Sequence, residues 1–402
     1  MIKMGDAAKV NHVGRVRFVA MSRLTTALFI AFALSAPALS QEQAVESSAV
    51  ELDQRIAQLK NKVVAWRRDI HKNPELSNRE FRTAELVARH LRSLGMEVKT
   101  GVAHTGVVGV LRGGKPGRVV ALRADMDALP VTEEVDVPFA STVRTTYNDQ
   151  QVGVMHACGH DAHVAILMGT AELLSGMRDR LAGSVMFIFQ PAEEGAPKGE
   201  EGGAELMIRA GVLDNPIPDA IFALHVFPFD TGTLWYRSGS AMASADQLRI
   251  VVRGRQTHGA MPWAGVDPIV VAAQIVMGLQ TITSRQVNVT TAPAIVSIGS
   301  VHGGVRSNII PDQVEMVGTI RTFDTAMRDD IHARVKNTAE SIAKSAGAVA
   351  EVAIERGYPV TINDAGLTER MAPTFRKVVG PDRVFTAPLI TGAEDFAYFQ
   401  QR

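Results

Sequence analysis

The sequence has 402 residues, which at about 150 residues per domain predicts two or three domains. Lysine and arginine together number 42, as do aspartate and glutamate, so the formal net charge is zero. This balance argues against a nucleic-acid-binding protein and against a polybasic membrane-surface protein, because both need a basic excess. Hydrophobic residues make up 46% and charged residues 21%, as in a globular chain. The single cysteine, Cys158, cannot form a disulfide within the chain.

Residues 1–40 are predicted to be a secretory signal peptide with a possible upstream extension. Arg23 precedes the apolar run 24–34, and Ala38 and Ser40 are the small residues expected before a cleavage site. A membrane anchor is the alternative, but the run is shorter than the roughly twenty apolar residues that span a bilayer. We therefore expect an exported protein, periplasmic or secreted, with no stable membrane insertion after the signal is removed.

The first half of the remaining chain has the pattern of helices around a buried sheet. Apolar residues at three- and four-residue spacing predict a helix from Leu52 to Ile70. A second helix is predicted from Ser77 to Leu94, with Ser77 and Glu80 as a capping box and Gly95 as the stop. Short apolar runs then predict strands buried on both faces of a parallel or mixed sheet. These runs are 107–111, 119–122, 185–189 and 221–224, with a hairpin turn at 113–117 and a covering helix at 164–174.

The pattern changes near residue 245, where a second set of elements begins. Strand, helix, strand, strand, helix and strand follow one another, which is the order of a ferredoxin-like sandwich. The elements are predicted at 247–252, 267–283, 294–301, 314–321, 327–345 and 348–354. The segment 387–390 is predicted to return to the buried sheet. The fold class is therefore α/β: a larger domain with helices on both faces of a mixed sheet, residues 41–243 and 358–402, and an inserted α+β domain, residues 244–357.

One short segment concentrates groups that bind metals. Between His156 and His163 lie Cys158, His160 and Asp161, directly before an apolar helix. Thiolate sulfur and imidazole nitrogen are the preferred ligands of zinc-like cations, and a helix N-terminus favours a thiolate. The alternative is a buried cysteine beside surface histidines. Because three of only eleven histidines fall here, the metal-site interpretation is favoured.

Three predicted strands end in further ligand-type side chains. Glu193 and Glu194 follow one strand, His225 ends the next, and Asp125 and Asp127 end an earlier one. Ligands of open α/β sheets bind outside the carboxyl ends of the strands, so these groups are expected on one rim. There, one glutamate can bind a metal while its neighbour acts as a general base. Taken alone, the acidic pair reads as an exposed turn, and a lone histidine at a strand end is more often structural.

Several motifs together resemble a known family. They are Arg68–His71 with Asn73–Leu76, Arg123–Pro130, His156–His163, Gln190–Gly195 and Gly392–Phe399. The chain resembles the metallopeptidase family of aminoacylase, carboxypeptidase G and succinyl-diaminopimelate desuccinylase. It is most similar to the amidohydrolase branch with hippurate hydrolase and the indole-acetyl-amino-acid hydrolases. Ala-Cys-Gly-His-Asp and Pro-Ala-Glu-Glu-Gly are the specific motifs of that branch.

The resemblance implies a two-metal site in the larger domain, with zinc or manganese as the cations. Cys158 would bridge the two metals, and His160, Glu194 and His225 would be further ligands. Glu193 would be the general base that takes a proton from water and delivers it to the leaving amine. Asp127 would orient a ligand from behind, as such partners do.

The resemblance also implies roles for the inserted domain, which would act as a lid and join two subunits into a homodimer. His258 resembles the family histidine that reaches the partner subunit's site and stabilises the oxyanion. Asn308 and Arg321 resemble the groups that hold the substrate carboxylate, which an arginine can bind with two hydrogen bonds. Read without the resemblance, these two residues are a turn residue and a surface charge at a strand end.

The expected activity is metal-dependent hydrolysis of N-acyl amino acids, such as hippurate, or related amides. An exported dipeptidase or carboxypeptidase with the same site is the first alternative. Family members have a further ligand histidine beyond Gly-Ala-Glu-Asp-Phe, whereas the last histidine of this sequence is His332. The sequence is then either a fragment of an active enzyme, which is the favoured interpretation, or a truncated, inactive homologue that binds without catalysis, which is the second alternative.

Overall fold

The structure is a computed structural model that describes residues 41–402, and side chains from residue 50 onward. The predicted signal peptide, residues 1–40, lies outside the described residues. Within the described part of the chain, no helix is both long enough and apolar enough to cross a membrane. Residues 54–402 form one unit, and the packing below lies within it.

Eight α-helices and seventeen strands are described for residues 41–402. The helices are α1 (Gln41–Lys72), α2 (Phe81–Ser93), α3 (His160–Ser175), α4 (Gly203–Arg209), α5 (Pro268–Thr281), α6 (Thr325–Ser345), α7 (Ala365–Val379) and α8 (Ala397–Gln400). The strands are β1 (Glu97–Val102), β2 (Gly106–Arg112), β3 (Lys115–Asp125), β4 (Arg144–Tyr147), β5 (Gln150–Gly153), β6 (Ala182–Gln190), β7 (Ala220–Ala223), β8 (Leu234–Tyr236), β9 (Gly239–Met242), β10 (Asp246–Arg253), β11 (Thr257–His258), β12 (Ala294–Gly303), β13 (Ile309–Ile310), β14 (Gln313–Thr322), β15 (Val349–Arg356), β16 (Thr361–Asn363) and β17 (Val384–Thr386).

A five-stranded mixed sheet forms the core of the first part of the fold, which confirms the predicted fold class. Its order is β1-β2-β6-β3-β7, with β3 parallel to both β6 and β7 and β2 antiparallel to β1 and β6. Successive side chains of a strand point to opposite faces. Phe187 and Phe189 accordingly pack with residues of α2 and α3, while Met186 and Ile188 pack with residues of α4 and α8. Helices therefore cover both faces.

The parallel pairing of β3 and β6 places their carboxyl ends at one edge of the sheet. Asp125, the last residue of β3, is in register with Gln190, the last residue of β6. The neighbouring strand β7 runs in the same direction and ends at the same edge. The loops that follow these three strands carry most of the predicted site residues, so the topology brings them together.

A second sheet contains four antiparallel strands in the order β12-β14-β10-β15. Helices α5 and α6 pack together and bury a core with the sheet that includes Ile250, Ile275, Met316 and Ile331. The chain order is β10, α5, β12, β14, α6 and β15, as the sequence predicts for a ferredoxin-like unit. The exact domain limits and the roles of this unit as lid and dimer interface stay predictions.

Three details of the predicted sheet are wrong. Residues 113–117 do not form a hairpin, because β6 lies between β2 and β3 in the sheet. The segment 387–390 does not rejoin the buried sheet: it follows β17, which pairs with β8 in a separate two-stranded ladder. Strand β7 is an edge strand whose side chains are partly exposed, and Leu224 beyond its end is 52% exposed.

The predicted capping box at α2 is also wrong. The helix begins at Phe81, and its first N–H groups are bound by the Glu75 carboxylate, which accepts from Arg82 N–H at 2.8 Å and from Thr83 N–H at 2.9 Å. The Ser77 hydroxyl instead donates a hydrogen bond to Asp127 Oδ2 at 2.7 Å. The Glu80 carboxylate accepts hydrogen bonds from the Thr105 hydroxyl and from the backbone N–H of Ala192. Both side chains form hydrogen bonds with residues distant in sequence, so neither caps the N-terminus of α2.

A buried ion pair joins the first strand of the second sheet to α6. Asp246 is fully buried, and its Oδ2 accepts hydrogen bonds from Arg328 Nε at 2.9 Å and from His332 Nε2 at 2.6 Å. Burial disfavours the charged carboxylate, but the hydrogen bonds from His332 and Arg328 prevail and lower the pKa of Asp246 to about 2. The carboxylate is therefore charged at neutral pH and fully paired.

Replacing Asp246 with asparagine should lower the free energy of unfolding at pH 7 by about 3–5 kcal/mol, because Arg328 is left as an unpaired buried charge. The carboxyl pKa is lower in the folded state than its unfolded value of about 4, so the contribution is present above that pH. It is lost as the pH falls toward 2, and the difference between wild type and variant should narrow over that range. Urea denaturation at several pH values measures both effects. The control is Asp330→Asn, which removes an exposed ion pair with Arg334 on α6 and should lower the free energy of unfolding by less than about 1 kcal/mol. Equal losses of stability in the two variants would contradict the prediction.

Candidate metal and catalytic site

The cysteine-histidine segment is placed by a glycine at the start of α3. Gly159 has φ +94°, and a Cβ there would lie 2.3 Å from Val226 Cγ2. Only glycine fits this left-handed, crowded position. The turn at Gly159 places its two neighbours, Cys158 and His160, close to His225, which follows β7. Ligand atoms of these three residues lie within 4.8 Å of one another.

His225 is oriented by its own chain segment. Its Nδ1 lies 2.7 Å from the carbonyl oxygen of Val226, and because a carbonyl only accepts, Nδ1 carries the proton. The lone pair is therefore on Nε2, which lies 3.4 Å from Cys158 Sγ. Burial and the neighbouring His163 lower the pKa of His225, which keeps the ring neutral as a metal ligand requires.

His160 is fully buried and is oriented in the same manner. Its Nδ1 donates to the carbonyl oxygen of Asp127 at 2.8 Å, which leaves Nε2 for another partner. That Nε2 is buried and has no hydrogen-bond partner. The nearest carboxylate oxygens belong to Asp125, Glu193 and Glu194, at 3.7, 3.9 and 4.0 Å. Burial disfavours the charged ring, but the charges of Asp125 and Asp127 prevail and raise the pKa of His160 well above its usual value, so a cation would have to displace a proton from Nε2.

The acidic pair follows β6 as predicted, and its two members differ in environment. Glu193 is 5% exposed, whereas 24% of the Glu194 side chain is exposed. Burial and the nearby charges of Glu394 and Asp395 raise the pKa of Glu193 well above its usual value. Burial also raises the pKa of Glu194 and of the Cys158 thiol. Bound cations act in the opposite direction and favour the deprotonated forms.

Asp127 lies behind the ligand-type residues and contacts two of them. Its Oδ2 accepts hydrogen bonds from the backbone N–H of Glu194 at 3.0 Å and from Ser77, and its Oδ1 lies 3.3 Å from His160 Nδ1. Burial opposes ionisation, yet the hydrogen bond with His160 prevails and lowers the pKa of Asp127. A charged carboxylate here fixes the orientation of the His160 ring.

Sequence reasoning missed a buried network next to Glu193. Arg123 on β3 donates to Asp125 at 2.6 Å, to Asp395 at 2.9 Å and to Glu394 at 3.0 Å. Gln190 binds both the guanidinium and Asp395. Glu394 and Asp395 belong to the Gly392–Phe399 motif, which the sequence singled out only for its resemblance. The sequence feature that could have indicated this network is the adjacent pair Glu394 and Asp395 in an otherwise apolar segment.

Not every histidine of the cluster is free to bind a metal. The backbone N–H of Val226 donates to His163 Nε2 at 2.9 Å, so the proton is on Nδ1, which donates to Asp125 Oδ1 at 2.6 Å. Both ring nitrogens of His163 are therefore used. His156 is buried too, and burial lowers its pKa to about 4.

The three predicted residues of the inserted unit lie apart from this cluster. His258 and Asn308 are exposed neighbours, since Gly259 N–H donates to the Asn308 carbonyl at 2.8 Å. Arg321 lies half-buried on β14, where its Nε donates to Thr319. Among the described residues, no hydrogen bond or ion pair connects these three with the cysteine-histidine cluster.

The donor atoms fit a metal site. The Cys158 thiol, the His225 imidazole and the carboxylates of Glu193 and Glu194 converge around His160, whose Nε2 has no partner. Sulfur, nitrogen and oxygen ligands together suit zinc, and the carboxylates also suit manganese. Beside it, a cavity of about 600 Å³ is lined by Glu194 and by Leu129, Tyr147 and Val154. That volume is in the range of small-molecule sites.

Comparisons with known proteins agree with this site. The family model described as peptidase family M20/M25/M40 matches residues 121–402. Thermostable carboxypeptidase 2 of Saccharolobus solfataricus is 42% identical over 88% of this chain and 86% of its own length. The N-acyl-L-amino acid amidohydrolase of Geobacillus stearothermophilus is 40% identical over 78% of this chain and 81% of its own. The solved structure of the Bacillus subtilis YXEP protein, described as a dinuclear metal binding peptidase from the M20 family, is 37% identical, with a TM-score of 0.72 and 86% of each chain covered.

Proposed function

Because the chain belongs to peptidase family M20/M25/M40, whose relatives include named hydrolases of amide and peptide bonds, we propose that it hydrolyses N-acyl amino acids. The observation that carries the proposal is the convergence of Cys158, His160 and His225 beside two glutamates. The family and the solved relative support a site with two divalent cations, Zn²⁺ or Mn²⁺.

Within this proposal, Cys158, His160, Glu194 and His225 would hold the cations. Bound there, the cations would polarise the scissile carbonyl and lower the pKa of the attacking water toward about 7. The Asp127 and Val226 carbonyls fix the rings of His160 and His225, so that ligand atoms of both rings lie within 4.8 Å of each other and of the Cys158 sulfur.

Glu193 is proposed as the general base. Its carboxylate lies 3.9 Å from His160 Nε2 and is buried, so it faces the place where the ligands converge. From there it accepts a proton from the attacking water and later delivers it to the leaving amine. A buried base with a raised pKa is suited to holding the proton between these two steps.

We further propose that the acyl group occupies the cavity beside Glu194, where Leu129, Tyr147 and Val154 would contact a hippurate-like aromatic acyl group; the lining also includes Arg79, Arg144 and Lys198. Asn308 and Arg321 bind the substrate carboxylate, and His258 acts at the site of a partner subunit in a homodimer. His258 and Asn308 are exposed, and Arg321 is half-buried, so all three side chains can be reached from outside. Export of the protein to the periplasm or beyond the cell is a separate part of the proposal and depends on residues 1–40.

A carboxypeptidase or dipeptidase activity is the second candidate. The observation in its favour is the 42% identity to thermostable carboxypeptidase 2. Both activities cleave an amide bond next to an amino acid, so the same ligands and the same base serve either. Side-by-side assays with hippurate and with dipeptides decide between them.

The purified protein should release glycine from hippurate, and chelation should abolish this release because the ligands then hold no cation. Adding Mn²⁺ or Zn²⁺ should restore it, and elemental analysis should find two cations per chain. A chelated protein that stays fully active would contradict the metal-dependent mechanism. A protein that binds no cation and cleaves neither substrate class would support the inactive homologue.

A further inference from the structure

The turn that carries Glu193 has a strained backbone. Ala192 has φ +54°, in the left-handed region that residues with a side chain rarely adopt. The residue is 1% exposed and lies between the end of β6 and the proposed base. Such conformations persist where the surrounding structure fixes them, and they cluster at functional sites. The question is therefore which groups fix this turn.

Three side chains from separate parts of the chain bind successive backbone groups of the turn. Glu80 Oε1 accepts from the Ala192 N–H at 3.0 Å, and Asp127 Oδ2 accepts from the Glu194 N–H at 3.0 Å. The Tyr358 hydroxyl donates to the Glu193 carbonyl at 2.5 Å. Each residue from 192 to 194 thus has one backbone group held by a side chain outside the turn.

Glu80 is itself held in place. It is fully buried just before α2, and its carboxylate also accepts hydrogen bonds from the Asn78 N–H at 3.1 Å and from Thr105. These hydrogen bonds restrict the movement of the Glu80 carboxylate, which accepts from the Ala192 N–H. The capping role that the sequence predicted for Glu80 is thus replaced by a role at the turn.

Tyr358 comes from the segment that leaves the four-stranded sheet after β15. Its carbonyl accepts from the Ala245 N–H at 2.9 Å, and its ring packs edge-on against Tyr398, with centroids 6.2 Å apart. Tyr358 is therefore anchored by its backbone and its ring, and its hydroxyl binds the turn at a different residue from Glu80.

We propose that Tyr358 and Glu80 are positioning residues that hold the strained turn, so that the Glu193 carboxylate faces His160, while the Glu194 N–H is held by Asp127. The inference rests on the proposed function of Glu193 as base. Neither residue contacts the reacting atoms. Without the Tyr358 hydroxyl the Glu193 carbonyl is released and the turn can relax, and a shift of about 1 Å at a catalytic group can cost about 10²-fold in rate.

The test is Tyr358→Phe, which removes only the hydroxyl, assayed on hippurate in the metal-loaded protein. We expect kcat to fall by about 10–100-fold, while KM and the metal content stay within about twofold. The matched control is Tyr398→Phe, the same change on the ring that packs against Tyr358. Its hydroxyl lies 3.4 Å from the Gly357 carbonyl and not at the turn, so kcat should stay within about twofold.

Two Glu80 variants separate positioning from folding. Glu80→Gln keeps an oxygen acceptor for the Ala192 N–H and should retain most of kcat, whereas Glu80→Ala should lower it as Tyr358→Phe does. Wild-type kcat in Tyr358→Phe, or a loss confined to KM or metal content, would overturn the inference while the proposed function stands. A wild-type protein that hydrolyses no amide with metal present would overturn both.

Discussion

Replacing Glu193 with glutamine should lower kcat on hippurate by about 10²–10⁴-fold, the usual contribution of a positioned general base. The amide has nearly the same shape and cannot accept the proton from water. KM and the bound metal should change little, because Glu193 is not among the proposed ligands. Steady-state kinetics and elemental analysis on the same preparation measure all three quantities.

The control for this variant is Glu355→Gln, an exposed glutamate on β15 in the second sheet. It makes the same chemical change far along the chain from the acidic pair and should leave kcat at the wild-type value. Full activity of Glu193→Gln on a substrate that the wild type hydrolyses would remove the proposed base from the mechanism.

Replacing Cys158 with serine should weaken metal binding by at least about 100-fold, because a hydroxyl is a far poorer ligand than a thiolate and even outer partners of a site contribute 10–100-fold. Activity without added metal should be lost. Cys158 is only half-buried, so the folded state should tolerate the smaller side chain. Metal titration followed by elemental analysis gives the affinity and the number of ions retained.

Ala157→Ser is the matched control, since it introduces the same hydroxyl one residue earlier, at an exposed position. Its metal content and activity should equal those of the wild type. Two tightly bound cations in Cys158→Ser would show that the thiol is not a ligand, even if the activity were reduced for another reason.

The elements of the fold were largely predictable because their signals are local. The alternating strand 247–252 and the helix at 327–345 appear within two residues of their predicted limits as β10 and α6. Pairing between distant strands is not a local signal, which is why the hairpin at 113–117 was wrong. No residue pattern near Gly113 and Gly114 predicts that β6, about seventy residues later, lies between β2 and β3 in the sheet.

The candidate site was predictable where ligand-type residues are concentrated, as from Cys158 to His163, or end a strand, as Glu193 does. Roles that depend on a distant partner were not. Ser77 and Glu80 have capping-box spacing, yet the structure uses them to hold Asp127 and Ala192. Likewise, whether His163 or His160 is free to bind a metal depends on the backbone of Val226 and Asp127, which no spacing rule reveals.

The guanidinium of Arg123 makes the folding of β3 depend on a segment far along the chain. Two of its three carboxylate partners, Glu394 and Asp395, are separated from it by more than 270 positions. A buried cation without its counter-ions is strongly disfavoured. The carboxyl end of β3 can therefore be buried at low cost only after the segment that carries these two acids has been synthesised and has packed against the sheet.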